Sequence, residues 1–273
     1  MTGPAERPKN RSPLRAKAGA LWYGTLRRLL WVKAARSFAK ERRAEDLPYA
    51  HFTHATPLLR KLKDVDMALQ RNKVENLKLA VKRLDGVVIR PGETLSYWYL
   101  IGKPSRRKGY REGMVLRNGK VTSGVGGGLC QLSNLIYWMA LHTPLTVTER
   151  HRHGYDVFPD AGRTQPFGSG ATCAYPYGDL MLRNDTGETF QLRLRVGPEN
   201  LEGTFLGDQP PVFRYEIVER DHEMRGEFWG GYTRRNKLFR LVCDLDGQPL
   251  YEEQVAENQA VMMYSPFLEE AKQ

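Results

Sequence analysis

Cys130 follows three consecutive glycines, Gly126, Gly127 and Gly128, and opens an apolar run with hydrophobic residues at Leu129, Leu132, Leu135, Ile136, Met139 and Ala140. That spacing is helical over three turns. The thiol therefore falls in a first helical turn, where free N–H groups and the positive end of the dipole favour a thiolate. The glycines permit close backbone approach, and their N–H groups could receive an oxyanion or a carboxylate. Further along comes Thr148-Glu149-Arg150-His151-Arg152-His153-Gly154. If residues 145–153 form a strand, Glu149, His151 and His153 share one face and Arg150 and Arg152 the other.

A cysteine at a helix start beside a histidine on a packed strand suits acyl transfer or hydrolysis. Cys130 would be the nucleophile and His151 or His153 the base. Glu149 would orient the base, and backbone N–H groups would hold the oxyanion. A second reading is non-catalytic: Gly126, Gly127, Gly128, Gln131, Ser133, Arg150 and Arg152 together bind a carboxylate. The ordinary role of a cysteine on an apolar helix is a small buried hydrophobe. Glu149, His151 and His153 are also zinc-ligand types, but no further ligand of matching spacing accompanies them, so neither a metal nor a cofactor is expected. Cys173 and Cys243 stand in strand-like text, where burial is the default. Surface or packing is the default for His142, with capping of the end of the cysteine helix as the alternative.

The elements that must position these residues read as an α+β fold, mostly antiparallel strands packed around a buried central helix. A second helix spans 69–84 and ends at Asp85-Gly86, followed by strand-like Val87-Val88-Ile89 and Thr94 to Tyr99. Asn118-Gly119 between Met114–Arg117 and Lys120–Thr122 is a strong hairpin signal. Further strands are expected at 145–148, 180–182, 190–196, 213–218, 238–244 and 250–254, the last two joined by Asp246-Gly247. The chain divides into a basic helical arm, 1–47, and a body, 48–273, with a β-rich tail over 210–266.

The chain has 273 residues and a formal net charge of +11, unevenly spread. Residues 1–46 hold 12 Lys/Arg against 4 Asp/Glu, and the rest hold 30 against 27. A near-neutral body argues against nucleic-acid binding. Three widely spaced cysteines exclude a disulfide framework. In the arm, over 14–43, leucines and tryptophans are interleaved with arginines and lysines, a pattern that either packs on the body or lies on an anionic membrane surface. Neither a secretory signal nor a spanning helix is visible, so the expected place is the cytoplasm or the inner membrane surface.

These residues also carry a resemblance. Gly124-Val-Gly-Gly-Gly-Leu-Cys-Gln-Leu-Ser-Asn, with Val147-Thr-Glu-Arg-His-Arg-His, resembles the signature of the VanW-like family, named after an accessory protein of vancomycin B-type resistance clusters. Asn76-Leu-Lys-Leu-Ala, Gly86-Val-Val-Ile-Arg-Pro-Gly-Glu, Thr164-Gln-Pro-Phe-Gly-Ser-Gly-Ala and Asp179-Leu-Met-Leu-Arg-Asn-Asp-Thr fit as well. The likeness runs from about Asn72 to Val196. It implies a link to glycopeptide resistance and the bacterial cell envelope; together with the residue readings above, the expected partner is a cell-wall peptide or precursor. It assigns no reaction.

Overall fold

A computed structural model describes residues 12–59, 67–117, 119–157 and 164–265. Asn118 of the expected hairpin turn and residues 1–11 of the arm lie outside them. Helix α1 (Pro13–Lys33) starts at Ser12, whose side chain accepts from the Arg15 amide. Strand β1 (Tyr49–Pro57) is followed by α2 (Met67–Leu84), then β2 (Val87–Ile89), β3 (Thr94–Ser96) and α3 (Tyr97–Ile101). The hairpin β4 (Glu112–Arg117) and β5 (Lys120–Val125) leads through the glycines into α4 (Cys130–Leu141). Short strands β6 (Thr146–Glu149), β7 (Tyr155–Asp156) and β8 (Met181–Arg183) come next. Long strands finish the chain: β9 (Phe190–Val196), β10 (Asn200–Gly207), β11 (Arg214–Gly226), β12 (Tyr232–Cys243) and β13 (Pro249–Met262).

One sheet has the order β1-β10-β9-β2 and all its pairs are antiparallel. A second is the β11-β12-β13 meander, to which β7 adds in parallel. A third, β3-β8-β6, carries Glu149 at its rim. The protein is α+β. Leu132, Leu135, Ile136, Met139 and Ala140 of α4 are all buried, and the helix packs on β10, β1 and β6. The 3.6-residue period placed the same residues inside. Helix α2 turns Leu77, Ala80, Val81 and Leu84 into the same core.

The charge boundary near Pro48 is not a packing boundary. Phe38 and Ala39 are buried. The Ala39 amide donates to the Thr94 carbonyl, Val88 to Glu41 and Arg43 to Gly86, all at 2.9–3.0 Å. These bonds tie residues 39–43 to the edges of β2 and β3. Beta-branched and aromatic content suggested strand through Tyr99, but Ser96 caps a short helix there, its Oγ accepting from the Tyr99 amide at 3.2 Å. Among the described residues, no helix is long and apolar enough to cross a membrane.

Candidate functional site

Cys130 is the first residue of α4, as its spacing required, and the Tyr97 hydroxyl holds the preceding turn by donating to the Leu129 carbonyl at 2.9 Å. The Cys130 thiol donates to the Cys173 carbonyl at 3.8 Å. The expectation of a favoured thiolate does not hold: burial pushes the Cys130 thiol above its ordinary range, with backbone hydrogen bonds opposing it. Burial, then the neighbouring Cys130, push Cys173 up further. The physical reason is one of size. A helix dipole contributes about 0.3–1 kcal/mol at its first turn, whereas desolvation can move a buried group by several pKa units.

The glycines act mainly by close packing. The Gly126 amide donates to the Arg111 carbonyl and the Gly127 amide to Gly124. Asn76 of α2 donates through Nδ2 to the carbonyls of Gly127 and Arg111, both at 3.0 Å. A Cβ on Gly127 would lie 2.1 Å from the Gly113 carbonyl oxygen. Gly128 has φ +88°, and its α-carbon faces the Lys73 side chain. The amides of Gly128, Leu129 and Cys130 make no hydrogen bond among the described residues.

Strand β6 stops at Glu149, after a register shift between Val147 and Glu149. His151 and His153 therefore lie beyond the sheet, and the alternation expected to place them on one strand face with Glu149 is absent. A different contact joins the first two: Glu149 Oε1 accepts from His151 Nε2 at 2.8 Å, from Arg27 of α1 at 2.5 Å and from the Asp179 amide at 3.1 Å. Burial alone would raise the Glu149 carboxyl, but these donors outweigh it and hold the group below its usual range. Asp179 is fully buried, and burial lifts its carboxyl to about 6 against the pull of Ser96 and the Trp98 amide. Ser96 donates to its Oδ2 at 2.5 Å, and the amides of Trp98 and Leu180 donate to its Oδ1 at 2.9 Å. His153 is half-buried, and burial followed by the Arg152 charge lowers its pKa. No hydrogen bond joins Cys130 to His151 or His153 among the described residues.

The polar residues expected to hold a carboxylate meet the chain's own backbone instead. Gln131 donates to Thr56 Oγ1 and the Pro57 carbonyl, tying α4 to the end of β1. Ser133 donates to the Ala171 carbonyl at 2.7 Å, and neighbouring Asn134 accepts from the Ala171 amide at 2.8 Å. Arg150 donates through Nε to the Gly170 carbonyl at 2.9 Å and through a terminal nitrogen to the Gly168 carbonyl and Asn258. Its guanidinium covers the Tyr137 ring, and that of Arg152 covers Phe167. The signature around α4 thus brackets the 164–173 segment against the helix. His142 does form the end of α4, its Nδ1 bonded to the Trp138 carbonyl at 2.9 Å.

Cys173 joins the cluster where burial alone is the expectation, and Asp179, Ser96 and Arg27 complete it with no site role assigned from the sequence. Asp179 opens one of the family-like stretches, which was the available signal. Arg27 had none. Among the described residues no group of three His, Cys, Asp or Glu side chains is placed to hold a metal ion.

The family described as "VanW like protein" matches residues 72–206. The chain is 39% identical over 186 residues to the vancomycin B-type resistance protein VanW of Enterococcus faecalis (strain ATCC 700802 / V583), covering 68% of each chain. It is 27% identical over 125 residues to the uncharacterized protein YoaR of Bacillus subtilis (strain 168), covering 46% of this chain and 40% of that one. No solved structure matches. With a matched signature whose residues build the junction of α4, β6 and β8, the chain belongs to the VanW-like family.

Proposed function

We propose that the chain serves glycopeptide resistance at the bacterial cell envelope by binding a cell-wall peptide or precursor without covalent chemistry. The link to resistance rests on the likeness to the Enterococcus faecalis resistance protein. The non-covalent reading rests on the surroundings of Cys130: a part-buried thiol directed at the Cys173 carbonyl, its pKa raised by desolvation, with no imidazole bonded to it among the described residues. A nucleophile needs a base within hydrogen-bond reach. The group available to a ligand is the Glu149–His151 pair, with Glu149 ionised and His151 exposed. Glu149 already receives guanidinium, imidazole and amide donors, which is the chemistry by which it would take the ammonium or amide N–H groups of a peptide.

Calorimetric titration of a soluble cell-wall stem peptide into the wild type, Cys130→Ala and Glu149→Gln tests this. Cys130→Ala is expected to bind like the wild type, and Glu149→Gln to lose about tenfold, the equivalent of one charge-assisted hydrogen bond. Loss of binding in a folded Cys130→Ala protein would overturn the reading.

One observation favours the cysteine-dependent alternative. Among the described residues the amides of Gly128, Leu129 and Cys130 are unbonded in the turn that carries the thiol, as donors to an oxyanion would have to be. In that case the thiol attacks a carbonyl, its proton leaves with the released amine, and water then hydrolyses the thioester. A mass adduct on Cys130, absent in Cys130→Ala, marks this path.

A further inference from the structure

Helix α1 is docked on the body by one face only. Gly24, Arg27 and Trp31, at i, i+3 and i+7, turn inward. Gly24 sits against Pro176, Arg27 bonds to Glu149 and the Tyr177 carbonyl, and Trp31 lies edge-on to Tyr99. The opposite face carries Trp22, Leu26 and Leu29, at i, i+4 and i+7, flanked by Leu21 and Val32. Trp22 is 65% exposed, Leu29 60%, Leu21 70% and Val32 77%. The inner face is held by an ion pair and ring contacts, whereas the outer face presents its large apolar side chains uncovered. The body covers one face.

The charge pattern identifies what covers the other. Between Glu6 and Glu41 the sequence holds ten Lys/Arg and no acidic residue. Arg15 and Lys33 lie beside the apolar stripe, and both are exposed. A second copy of the helix would set like charges against each other at the contact, with no carboxylate on either α1 to neutralise them. An anionic headgroup layer supplies that counter-charge, and its acyl boundary takes the leucines and the indole. We propose that the outer face of α1 lies on an anionic bilayer surface, holding the protein at the membrane while the inner face stays on the body. The helix is about 30 Å long, from 21 residues at 1.5 Å each, so it lies along the surface.

Co-sedimentation of the full chain with vesicles tests this, using phosphatidylcholine alone and phosphatidylcholine mixed with phosphatidylglycerol. Partitioning is expected to be more than about tenfold stronger on the anionic vesicles and to weaken as salt rises. Trp22→Glu/Leu29→Glu and, separately, Arg15→Glu/Lys33→Glu should each lose about tenfold or more with an unchanged near-ultraviolet circular dichroism spectrum. Equal partitioning of the wild type on the two lipids overturns the proposal without recourse to any variant. So does a stable wild-type dimer in solution that Trp22→Glu/Leu29→Glu converts to monomer. Peptide binding at Glu149 uses none of these residues, so its failure leaves this result standing.

Discussion

Arg27 on α1 and Glu149 at the end of β6 meet at 2.5 Å across 122 positions of sequence, and Arg27 is 11% exposed at its side chain. The pair joins the N-terminal helix to the polar cluster beside Cys130. Removing the cation leaves a partly buried carboxylate with two donors in place of three. Arg27→Ala should therefore cost about 1–3 kcal/mol, below the cost of breaking a fully buried pair. The pH dependence has a definite sign. A carboxyl held below its ordinary 4.5 contributes stability at higher pH and loses it as pH falls through the folded value. Urea unfolding of Glu149→Gln should lack this acid-side decline. A variant curve parallel to the wild type would show that Glu149 is not held this way.

Asp179 titrates in the opposite sense. Its carboxyl is raised from 3.8 to about 6, first by burial, so the folded state binds the proton more tightly than the unfolded chain. The ionised form is a cost above pH 6, and that cost disappears as pH falls towards 4. Asparagine can keep the bonds from the Trp98 and Leu180 amides through its oxygen, and its nitrogen can donate to Ser96. Asp179→Asn is expected to match or exceed the wild type at neutral pH, by at most about 3 kcal/mol, the two-unit displacement converted at 1.36 kcal/mol per unit. A marked loss of stability at neutral pH would mean that the charge itself is needed.

The legible parts of the molecule were those governed by local periodicity. The burial of α4, the start of that helix at Cys130, the strand at 190–196 and the second half of β12, expected at 238–244, follow from apolar spacing and turn residues. What was not legible depends on long-range contact. Glu149 and His151 were paired by assuming a continuing strand, but the chain leaves the sheet at Glu149 and Arg150 turns in towards Gly168 and Gly170. They still meet, through the loop rather than the strand face. For the Cys130 thiol, sequence shows the dipole and conceals the desolvation that outweighs it. Arg27 could not be assigned a partner so far along the chain.

Phe38 tests whether the basic segment belongs to the fold. Its ring is 4% exposed and stacks on Tyr99 at 4.7 Å, next to the fully buried Ala39. Phe38→Ala should cost about 3–5 kcal/mol, the range for truncating a buried aromatic. A cost under about 1 kcal/mol in denaturant unfolding would mean that the segment can leave without disturbing β3, and that the protein divides at Pro48 after all.

Gly127 separates a packing role for the glycine run from a chemical one. Its α-carbon abuts the Gly113 backbone, and an added Cβ would meet the Gly113 carbonyl oxygen at 2.1 Å and its carbon at 2.2 Å. Backbone cannot swing aside as a side-chain tip can, so Gly127→Ala must separate the start of β4 from the turn before α4. The expected loss is more than about 3 kcal/mol, at the upper end for overpacking. Gly154→Ala is the control. A Cβ there meets nothing within 4 Å and its φ lies outside the left-handed region. That substitution should be neutral or stabilising by up to about 1 kcal/mol, through the unfolded chain. If Gly127→Ala unfolds at the wild-type denaturant midpoint yet loses function, the two backbones are not in contact, and the glycine amides act on a ligand.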